Sequence, residues 1–309
     1  MAINRPEVGA GVAEVDLSGA TVLVTGATDG IGRETALALG RLGATVLVHG
    51  RDRAKGEAVV ERLRGAGTDA ALHLADFADQ GDVRDLASAV RADRDRLGVL
   101  VNNAGAIFPA GGCTTDGVER TVAVNHLAPF LLTNLLWPLV RGARVVTVAS
   151  NVHRLARMDF RSLRTPGEGG LAAYARSKLA NLLFTRELAR RFEGLGTGGT
   201  ATALHPGVVP GSSVGREYPP SLRAPIQVAS RIPGVSDAFS SVAEAAETPV
   251  YLAAVPDPPE NGGYYADCRP VTPSRRARDD RTARRLWRVS AELAGFDGSG
   301  GPRVPDPGD

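Results

Sequence analysis

Two side chains able to move a proton stand four positions apart in this sequence, Tyr174 and Lys178. They lie at the start of a segment, residues 171–192, whose apolar residues recur at helical spacing. Side chains four positions apart share one face of a helix, so the phenol and the ammonium can point at the same place. A nearby cation lowers the pKa of a phenol from its reference value of about 10. The pair therefore predicts proton transfer to or from an alcohol or a carbonyl.

The choice of lysine supports this interpretation. The chain has 36 lysines and arginines together, and only Lys55 and Lys178 are lysines. A lysine ammonium is a compact, rotatable charge, which the planar arginine guanidinium does not imitate. A lone Tyr-x-x-x-Lys pattern is also typical of an ordinary exposed helix, so the motifs that precede it in the chain decide between the two interpretations.

A glycine-rich turn follows the first predicted strand. That strand spans residues 21–25, and a helical pattern begins at Arg33. A strand, a glycine-rich turn and a helix form the arrangement that binds a phosphate at a helix N-terminus. The spacing is G-x-x-x-G-x-G rather than the common G-x-G-x-x-G, so a structural turn is the alternative; the context favours nucleotide binding. The turn consists of Gly26, Ala27, Thr28, Asp29, Gly30, Ile31 and Gly32.

The end of the second predicted strand, residues 44–49, indicates which dinucleotide binds. A cofactor without a 2′-phosphate usually meets an acidic residue at this place. This chain has Gly50 followed by Arg51, whose guanidinium can bind a 2′-phosphate through two hydrogen bonds. Arg33 can add a second positive charge. In the alternative interpretation Asp52 binds the ribose and Arg51 is solvated; the pattern favours NADP(H) over NAD(H).

Further candidate residues follow the later predicted strands. The carboxyl ends of parallel strands meet at one edge of a sheet, where such folds bind their ligands. Asp76, after the third strand, can accept a hydrogen bond from an adenine amino group or else cap the next helix. Asn125 lies within a long helical region, residues 114–140, and can interrupt it. The remaining candidates at strand ends are Phe77 after the third strand, Asn103, Ala104 and Gly105 after the fourth, Ser150 after the fifth, and Pro206, Gly207 and Val209 after the sixth.

The alternation of strands and helices predicts an α/β fold. We expect a doubly wound (Rossmann) parallel sheet of seven strands with helices on both faces, in a single domain spanning residues 19–297. Residues 1–18 form an N-terminal extension. Residues 208–241 are rich in Pro, Gly and Ser and too long for a simple connection, so they predict a substrate lid. Residues 298–309 are predicted to be disordered.

Composition argues against several classes of function. A net charge of +2 does not indicate a nucleic-acid partner. Cys113 and Cys268 are the only cysteines, which argues against a disulfide framework and a metal site. The first 18 residues lack the features of a signal peptide, and no apolar stretch reaches the roughly 20 residues that span a membrane. We therefore expect a cytoplasmic protein that acts on a small molecule, without metal or membrane.

Together, these motifs resemble those of the short-chain dehydrogenase/reductase family, in order and spacing. Residues 124–136, 177–190 and 283–287 further resemble its retinol dehydrogenase-like branch, a resemblance that also favours NADP(H). The motifs that carry the family resemblance are Thr25 with the Gly26, Gly30, Ile31 and Gly32 turn, the run from Asn102 to Gly105, Asn125, Ser150, Tyr174 with Lys178, and Pro206 with Gly207.

The resemblance implies a role for each matching residue. It makes Tyr174 the acid or base, Lys178 the group that lowers the pKa of Tyr174 and holds the nicotinamide ribose, and Ser150 a hydrogen-bond partner of the substrate oxygen. Asn125 supports a water-mediated proton path to Lys178. The glycine-rich turn cradles the pyrophosphate. Pro206 and Gly207 are implied to lie beside the nicotinamide.

The same resemblance bears on assembly. In families of this type the helices that correspond to residues 114–140 and 171–192 pair across a two-fold axis. Both segments carry more apolar residues than one face of a sheet needs, so we expect a homodimer or a homotetramer.

The chain departs from the family pattern after the Pro206-Gly207 pair. Where the family often has a threonine, this chain has valines, and Ser212 or Ser213 can substitute.

Three functions follow from these residues. The leading hypothesis is an NADP(H)-dependent oxidoreductase that transfers a hydride between nicotinamide and a carbonyl or alcohol of an apolar small molecule. An alternative is a bacterial secondary-metabolite tailoring enzyme that uses the same site for imine reduction, or for an isomerisation or cyclisation without net redox. A non-catalytic cofactor-binding scaffold is the third; the complete set of Ser150, Tyr174 and Lys178 argues against it.

Overall fold

The computed structural model describes residues 5–164, 169–209, 240–296 and 304–306. One sheet in this part of the chain contains eight strands, which are β1 (Thr21–Val24), β2 (Thr45–Gly50), β3 (Ala70–Leu74), β4 (Val99–Asn102), β5 (Arg144–Val148), β6 (Thr200–Leu204), β7 (Tyr264–Ala266) and β8 (Arg269–Pro270). Their order across the sheet is β3-β2-β1-β4-β5-β6-β7-β8. All neighbours are parallel except β7 and β8. The predicted doubly wound parallel fold in a single domain is confirmed.

The strand count differs from the prediction by one. β8 pairs antiparallel with β7 across a two-residue turn, Asp267 and Cys268, whose φ angles are both positive, 48° and 58°. Turns with positive φ at both central residues match the right-handed twist of a hairpin. A strand of two residues shows no alternation of apolar and polar side chains, so the sequence pattern did not reveal it.

Helices cover both faces of the sheet. A π-helical turn, Ala123–Leu127, joins α5 to α6, and short 3-10 helices form at Asn151–Leu155, Arg161–Leu163 and Arg275–Arg278. The α-helices of the described residues are α1 (Pro6–Gly9), α2 (Gly30–Arg41), α3 (Arg53–Gly65), α4 (Gln80–Asp93), α5 (Arg120–Val122), α6 (Ala128–Leu135), α7 (Trp137–Val140), α8 (Gly170–Gly194), α9 (Val242–Ala254) and α10 (Asp280–Leu293).

The strands alternate between two apolar cores. In β1, Leu23 faces the core that contains side chains of α4, α6, α8 and α10. Its neighbours Val22 and Val24 face the other core, with side chains of α2, α3 and α9. All three are fully buried. A strand covered on both faces reads as a continuous apolar run, which is why this segment was recognisable in the sequence. The order of connection reverses between β1 and β4, and a crevice at such a point is the usual ligand site of this fold.

Residues 5–18 of the predicted N-terminal extension pack against the domain. The carboxylate of Glu7, in α1, is fully buried and receives two hydrogen bonds from Arg41 at the end of α2, of 2.6 and 2.7 Å. A buried carboxylate needs such partners because removing a lone charge from water is costly. These contacts fasten α1 to α2.

The predicted disorder of residues 298–309 is wrong for residues 304–306. Val304 is buried, and its backbone N–H donates to Asn134 Oδ1 at 3.1 Å. Arg191 of α8 donates to the carbonyls of Val304 and Pro305 and to the carboxylate of Asp306. The buried guanidinium of Arg191 requires acceptors, and this short segment supplies them. We refer to residues 304–306 as the C-terminal strap.

The predicted substrate lid, residues 208–241, meets the described residues only at its two ends. Most of the predicted lid, residues 210–239, lies outside the described part of the chain, as do Ser212 and Ser213. The segment leaves and returns at one place, because Ser240 N–H donates to the carbonyl of Val208 at 3.0 Å.

The apolar surplus of α8 and of the α5–α6 region is covered within the same chain. Trp287 of α10 stacks on Phe184 of α8, with ring centroids 5.8 Å apart, and meets Phe130 of α6 edge-on at 5.0 Å. Phe296 approaches Phe130 at 6.4 Å. The surplus therefore no longer argues for pairing with a second copy. The homodimer or homotetramer stays a prediction that rests on the family resemblance.

Candidate active site

The first half of α8 places Tyr174 and Lys178 at the carboxyl edge of the sheet. Both side chains are buried, and Lys178 Nζ lies 5.5 Å from the centre of the Tyr174 ring. Lys178 Nζ also donates to the carbonyl oxygen of Val148, the last residue of β5, at 2.8 Å. Burial lowers the pKa of the Lys178 ammonium from 10.5 to about 8. The predicted pair of phenol and ammonium is therefore brought together.

Ser150 follows β5 by two residues and is held in place by hydrogen bonds to the residues just after it. Its Oγ caps the 3-10 helix Asn151–Leu155 by accepting from the Val152 N–H at 3.4 Å. Its carbonyl oxygen lies 2.7 Å from His153 Nδ1, and His153 Nε2 accepts from the backbone N–H of Ser274 at 3.1 Å. These bonds make His153 a structural support of the Ser150 turn.

Asn125 lies in the π-helical turn, so the predicted interruption of the helical region is confirmed. Its amide exchanges two hydrogen bonds with the backbone of Ala106, of 2.7 and 2.9 Å. The same amide donates to Ser177 Oγ at 3.0 Å, which ties the turn to α8. π-helical turns often occur at functional sites, because the inserted residue redirects a side chain. Here the redirected side chain is Asn125.

Gly105 occupies the space between Asn125 and Lys178. A Cβ placed on Gly105 would lie 3.4 Å from Asn125 Oδ1 and 3.5 Å from Lys178 Nζ. The three predicted residues Gly105, Asn125 and Lys178 thus adjoin one another, and the absence of a side chain at Gly105 keeps both polar groups accessible from the loop that follows β4.

The glycine-rich turn requires glycine at three of its positions. Gly26 has a φ of +64°, and a Cβ on it would lie 2.8 Å from Ala104 Cα. A Cβ on Gly32 would lie 2.3 Å from Asn103 Nδ2 and from the Gly26 carbonyl. Gly30 has a φ of +55°, and a Cβ there would meet no atom within 4 Å. The open space at Gly30, at the start of α2, fits a pyrophosphate bound at the helix N-terminus.

Thr25 and Asn103 connect this turn to the end of β4. Asn103 Nδ2 donates to the carbonyls of Thr25 and Gly26, at 2.8 and 3.2 Å. Thr25 Oγ1 accepts from the backbone N–H groups of Asn103 and Ala104, at 3.0 and 3.1 Å. Thr25 belongs to the family motif but was not among the predicted cofactor residues; its role here is to hold the turn against β4.

The end of β2 presents Arg51 to solvent beside an open depression of about 500 Å³. Asp52, the alternative ribose ligand, is used elsewhere, because its carboxylate caps α3 by accepting from the Lys55 N–H at 3.1 Å. Arg33 donates to its neighbour Glu34, with Nη2 to Oε1 at 3.0 Å. The residues that line the depression are Arg51, Asp52, Leu74, Ala75, Asp76 and Asp82.

Lys55 was not among the predicted site residues, although its rarity was a signal. Its Nζ lies 3.7 Å from Asp29 Oδ2, and Asp29 caps α2 by accepting from the Gly30 N–H at 2.8 Å. Lys55 stands in the first turn of α3, close behind Arg51 in the chain. Both lysines of this arginine-rich protein thus lie at the candidate site.

Asp76 and Phe77 take different positions after β3. Asp76 lines the depression and accepts from the Ala78 N–H at 3.0 Å, whereas the cap of α4 is Asp79, so the alternative role of Asp76 as that cap is wrong. The Phe77 ring is buried and stacks on His49, with centroids 4.3 Å apart. The prediction that Phe77 contacts the cofactor is thereby corrected for its side chain, which packs inside the protein.

Pro206, Gly207 and Val209 follow β6 at the same edge of the sheet. Gly207 has a φ of +79°, and a Cβ on it would lie 2.5 Å from Ser240 Oγ, so position 207 requires a glycine.

Among the described residues, no group of three or more His, Cys, Asp or Glu side chains is arranged to hold a metal ion. A search of the same residues for a helix long and apolar enough to cross a membrane found none.

The comparisons with known proteins agree with this arrangement. The family model described as short chain dehydrogenase matches residues 20–218. Retinol dehydrogenase 12 of Mus musculus is 39% identical over 289 residues, which cover 91% of this chain and 88% of that protein. A crystal structure of an uncharacterized protein from Mycobacterium paratuberculosis is 31% identical with a TM-score of 0.73, covering 94% of this chain and 97% of the other.

A short chain dehydrogenase from Burkholderia cenocepacia, solved in complex with NADP, is 25% identical with a TM-score of 0.64, over 80% of this chain and 96% of that one. NADP-bound neighbours of this kind, with the open helix N-terminus at Gly30, support a nicotinamide cofactor. The chain is therefore an oxidoreductase that belongs to the short-chain dehydrogenase/reductase family and, within it, to the retinol dehydrogenase-like branch.

Proposed function

We propose that the protein is an NADP(H)-dependent carbonyl reductase, able to run in reverse as an alcohol dehydrogenase, with an apolar small molecule as substrate. The observation that carries the proposal is the buried ammonium of Lys178, 5.5 Å from the Tyr174 ring, at the edge of the sheet where Ser150 follows β5. When bound, the nicotinamide supplies or accepts the hydride.

Tyr174 moves the proton. Its phenol donates a proton to the substrate oxygen during carbonyl reduction and takes it back during alcohol oxidation. The Lys178 cation favours the phenolate, and its effect is strong because water is excluded around it. Ser150 Oγ orients the substrate oxygen by a hydrogen bond. Asn125, which adjoins Lys178 across Gly105, supports the path by which the proton is replaced.

The residues around the end of β2 favour NADP(H). Arg51 is exposed at the depression and is not opposed by an acid at position 50. Asp52 uses Oδ1 to cap α3, although it also lines the depression beside Arg51. Lys55 adds a second cation near Asp29. Arg33 contributes less than the sequence predicts, because its guanidinium is paired with Glu34.

Two exposed apolar side chains near the site support an apolar substrate. Leu155, at the end of the 3-10 helix that follows Ser150, is 71% exposed. Val208, which follows Gly207, is 55% exposed. The mouse relative is a retinol dehydrogenase, and retinol is an apolar alcohol. We propose that class of substrate and not retinol itself. The dehydrogenase names of the relatives favour net redox chemistry over the non-redox alternative.

The test is NADPH consumption by the purified protein with a panel of apolar aldehydes and ketones, a matched panel of polar ones, and a panel of imines. We expect consumption with the apolar carbonyls above all. A protein that binds NADPH tightly but consumes it with no carbonyl would contradict the proposal. Consumption with imines alone would favour the tailoring enzyme instead.

A further inference from the structure

His49 is a buried polar residue at the cofactor edge to which no role has yet been given. It is the second-last residue of β2, and only 2% of it is exposed. Its Nδ1 lies 3.3 Å from the backbone nitrogen of Gly26, which donates to it. Its Nε2 lies 3.2 Å from the carbonyl oxygen of Ala75. The two bonds fix the tautomer, because one ring nitrogen must accept while the other donates.

The backbone of His49 supports the same turn. Its carbonyl oxygen accepts from the Ala27 N–H at 2.8 Å, so two successive N–H groups of the glycine-rich turn end on one residue. The ring also stacks on Phe77 at a centroid distance of 4.3 Å and an interplanar angle of 19°. His49 thus connects the turn after β1 with the segment after β3, which lines the depression through Ala75 and Asp76.

We propose that His49 is a positioning residue of the cofactor site: its ring holds the Gly26 turn and the Ala75–Phe77 segment in one fixed geometry, so that the open helix start at Gly30 and the adenine side of the depression are formed before the cofactor arrives. The inference rests on the proposed nicotinamide cofactor. Gly26 has a left-handed φ and is only partly buried, so without the His49 acceptor its N–H is free to donate a hydrogen bond to another partner and the turn loses its fixed geometry. A site formed for only a fraction of the time binds its ligand more weakly by that fraction.

The chemistry of the ring is consistent with this role. Burial lowers the pKa of His49 from 6.5 to about 4, so Nδ1 keeps the lone pair that accepts from Gly26 at neutral pH. A protonated ring would carry hydrogen on both nitrogens and lose that bond.

Three substitutions separate the two bonds. His49→Asn places an amide oxygen near the position of Nδ1 and keeps an acceptor for Gly26. His49→Gln places an amide nitrogen near the position of Nε2 and keeps the donor to Ala75. His49→Phe keeps a ring for stacking on Phe77 and removes both bonds. The control is His73→Gln, because His73 lies beside His49 in the sheet, as its register partner on β3.

The measurement is the dissociation constant of NADPH, by fluorescence, for each variant whose circular dichroism and melting transition show a folded protein. We expect the His73→Gln variant to stay within about threefold of the unmodified protein, and the His49→Phe variant, which lacks both bonds, to bind at least about fivefold more weakly. The Asn and Gln variants of His49 keep one bond each and should bind with intermediate affinity. In steady state the KM for NADPH should rise most in the Phe variant while kcat at saturating NADPH is kept.

The inference is overturned by a folded His49→Phe variant with unchanged affinity, or by Asn and Phe variants that bind equally. If all three lose stability equally and keep their affinity, His49 is only a core residue and the inference also fails. Failure of the unmodified protein to bind NADPH would instead contradict the proposed function, so the two failures are distinguishable.

Discussion

Lys178 donates a hydrogen bond from Nζ to the carbonyl oxygen of Val148, two residues before Ser150. This bond joins the helix that carries Tyr174 to the strand that delivers Ser150. The ammonium is buried and hydrogen-bonded, so it is held in place and is not free to move into solvent. Burial also lowers its pKa to about 8. The sheet thereby fixes the position of the Lys178 ammonium relative to the strand that leads to Ser150.

Tyr174→Phe should lower kcat for carbonyl reduction by about 100-fold or more, because it removes the proton that is transferred and keeps the ring. The dissociation constant of NADPH should change little. Steady-state kinetics and a direct binding titration of the purified variant check both parts. Tyr251→Phe is the matched control, since Tyr251 lies on α9 and should keep full activity. Near-normal turnover of the Tyr174 variant would remove this residue from the mechanism.

Lys178→Arg should lower kcat strongly although the charge is retained. The guanidinium is larger and its donors lie in a plane, whereas Lys178 is 3% exposed and has Gly105 close beside it. Lys55→Arg, at the only other lysine of the chain, is the control; its side chain is half exposed and should tolerate the change. An active Arg variant would show that charge alone suffices.

In the unmodified enzyme, kcat/KM for carbonyl reduction should fall as the pH rises above about 8, because the Lys178 ammonium then loses its proton.

Arg51→Ala should weaken NADPH binding by about 10- to 150-fold, the range that one hydrogen bond to a charged group provides, and nearer 10-fold because Arg51 is exposed. NADH binding should stay nearly unchanged. Arg53→Ala is the control, because Arg53 is an exposed arginine two positions on that pairs with Glu57 at 3.6 Å. Dissociation constants of both cofactors decide the matter. Equal affinity of the unmodified protein for NADH and NADPH would mean that Arg51 does not bind a 2′-phosphate.

An acidic residue at position 50 is a less direct test of cofactor choice. A Cβ on Gly50 would lie 2.3 Å from Thr28 Cγ2. A Gly50→Asp variant would therefore displace a residue of the glycine-rich turn as well as adding a charge. Its loss of NADPH affinity would not separate the two effects, which is why Arg51 is the better position to change.

Stability should fall in mild acid. Burial lowers the pKa of both His49 and His126 from 6.5 to about 4. Between these two pH values the histidines bind protons in the unfolded chain but not in the folded protein. The stability contributed by these two histidines is therefore fully present above pH 6.5 and is lost as the pH falls from 6.5 towards 4, by about 1.4 kcal/mol per pH unit for each histidine. Urea unfolding at pH 7.5 and pH 5.5 measures the loss. His126→Gln should reduce the difference by roughly one such contribution; an unchanged difference would contradict the assignment.

Local patterns predicted the residues of the candidate active site. Tyr174 and Lys178, the glycine-rich turn and Asn125 each carry a signal within a few positions, either a spacing, a strand end or a break in a helical pattern. The parallel sheet brings strand ends together whatever lies between them, so the site could be predicted from separate motifs.

Supporting residues could not be predicted in this way. His49 joins Gly26 and Ala75, which lie 23 and 26 positions away, and nothing near it in the sequence indicates either partner. Glu7 pairs with Arg41 across 34 positions. Residues 298–309 are rich in Pro, Gly and Asp, a composition typical of disorder, and the buried Arg191 that orders part of them lies more than a hundred positions earlier. Pairings of this kind follow from the assembled fold.

The C-terminal strap has a consequence for biosynthesis. Arg191 lies on the helix that carries Tyr174 and Lys178, and it finds carbonyl acceptors on Val304 and Pro305, 113 and 114 positions later. A ribosome makes the helix long before these acceptors exist, and domains fold in the order in which they are made. The helix that bears the reactive pair therefore receives its last buried partners only when synthesis has passed Asp306.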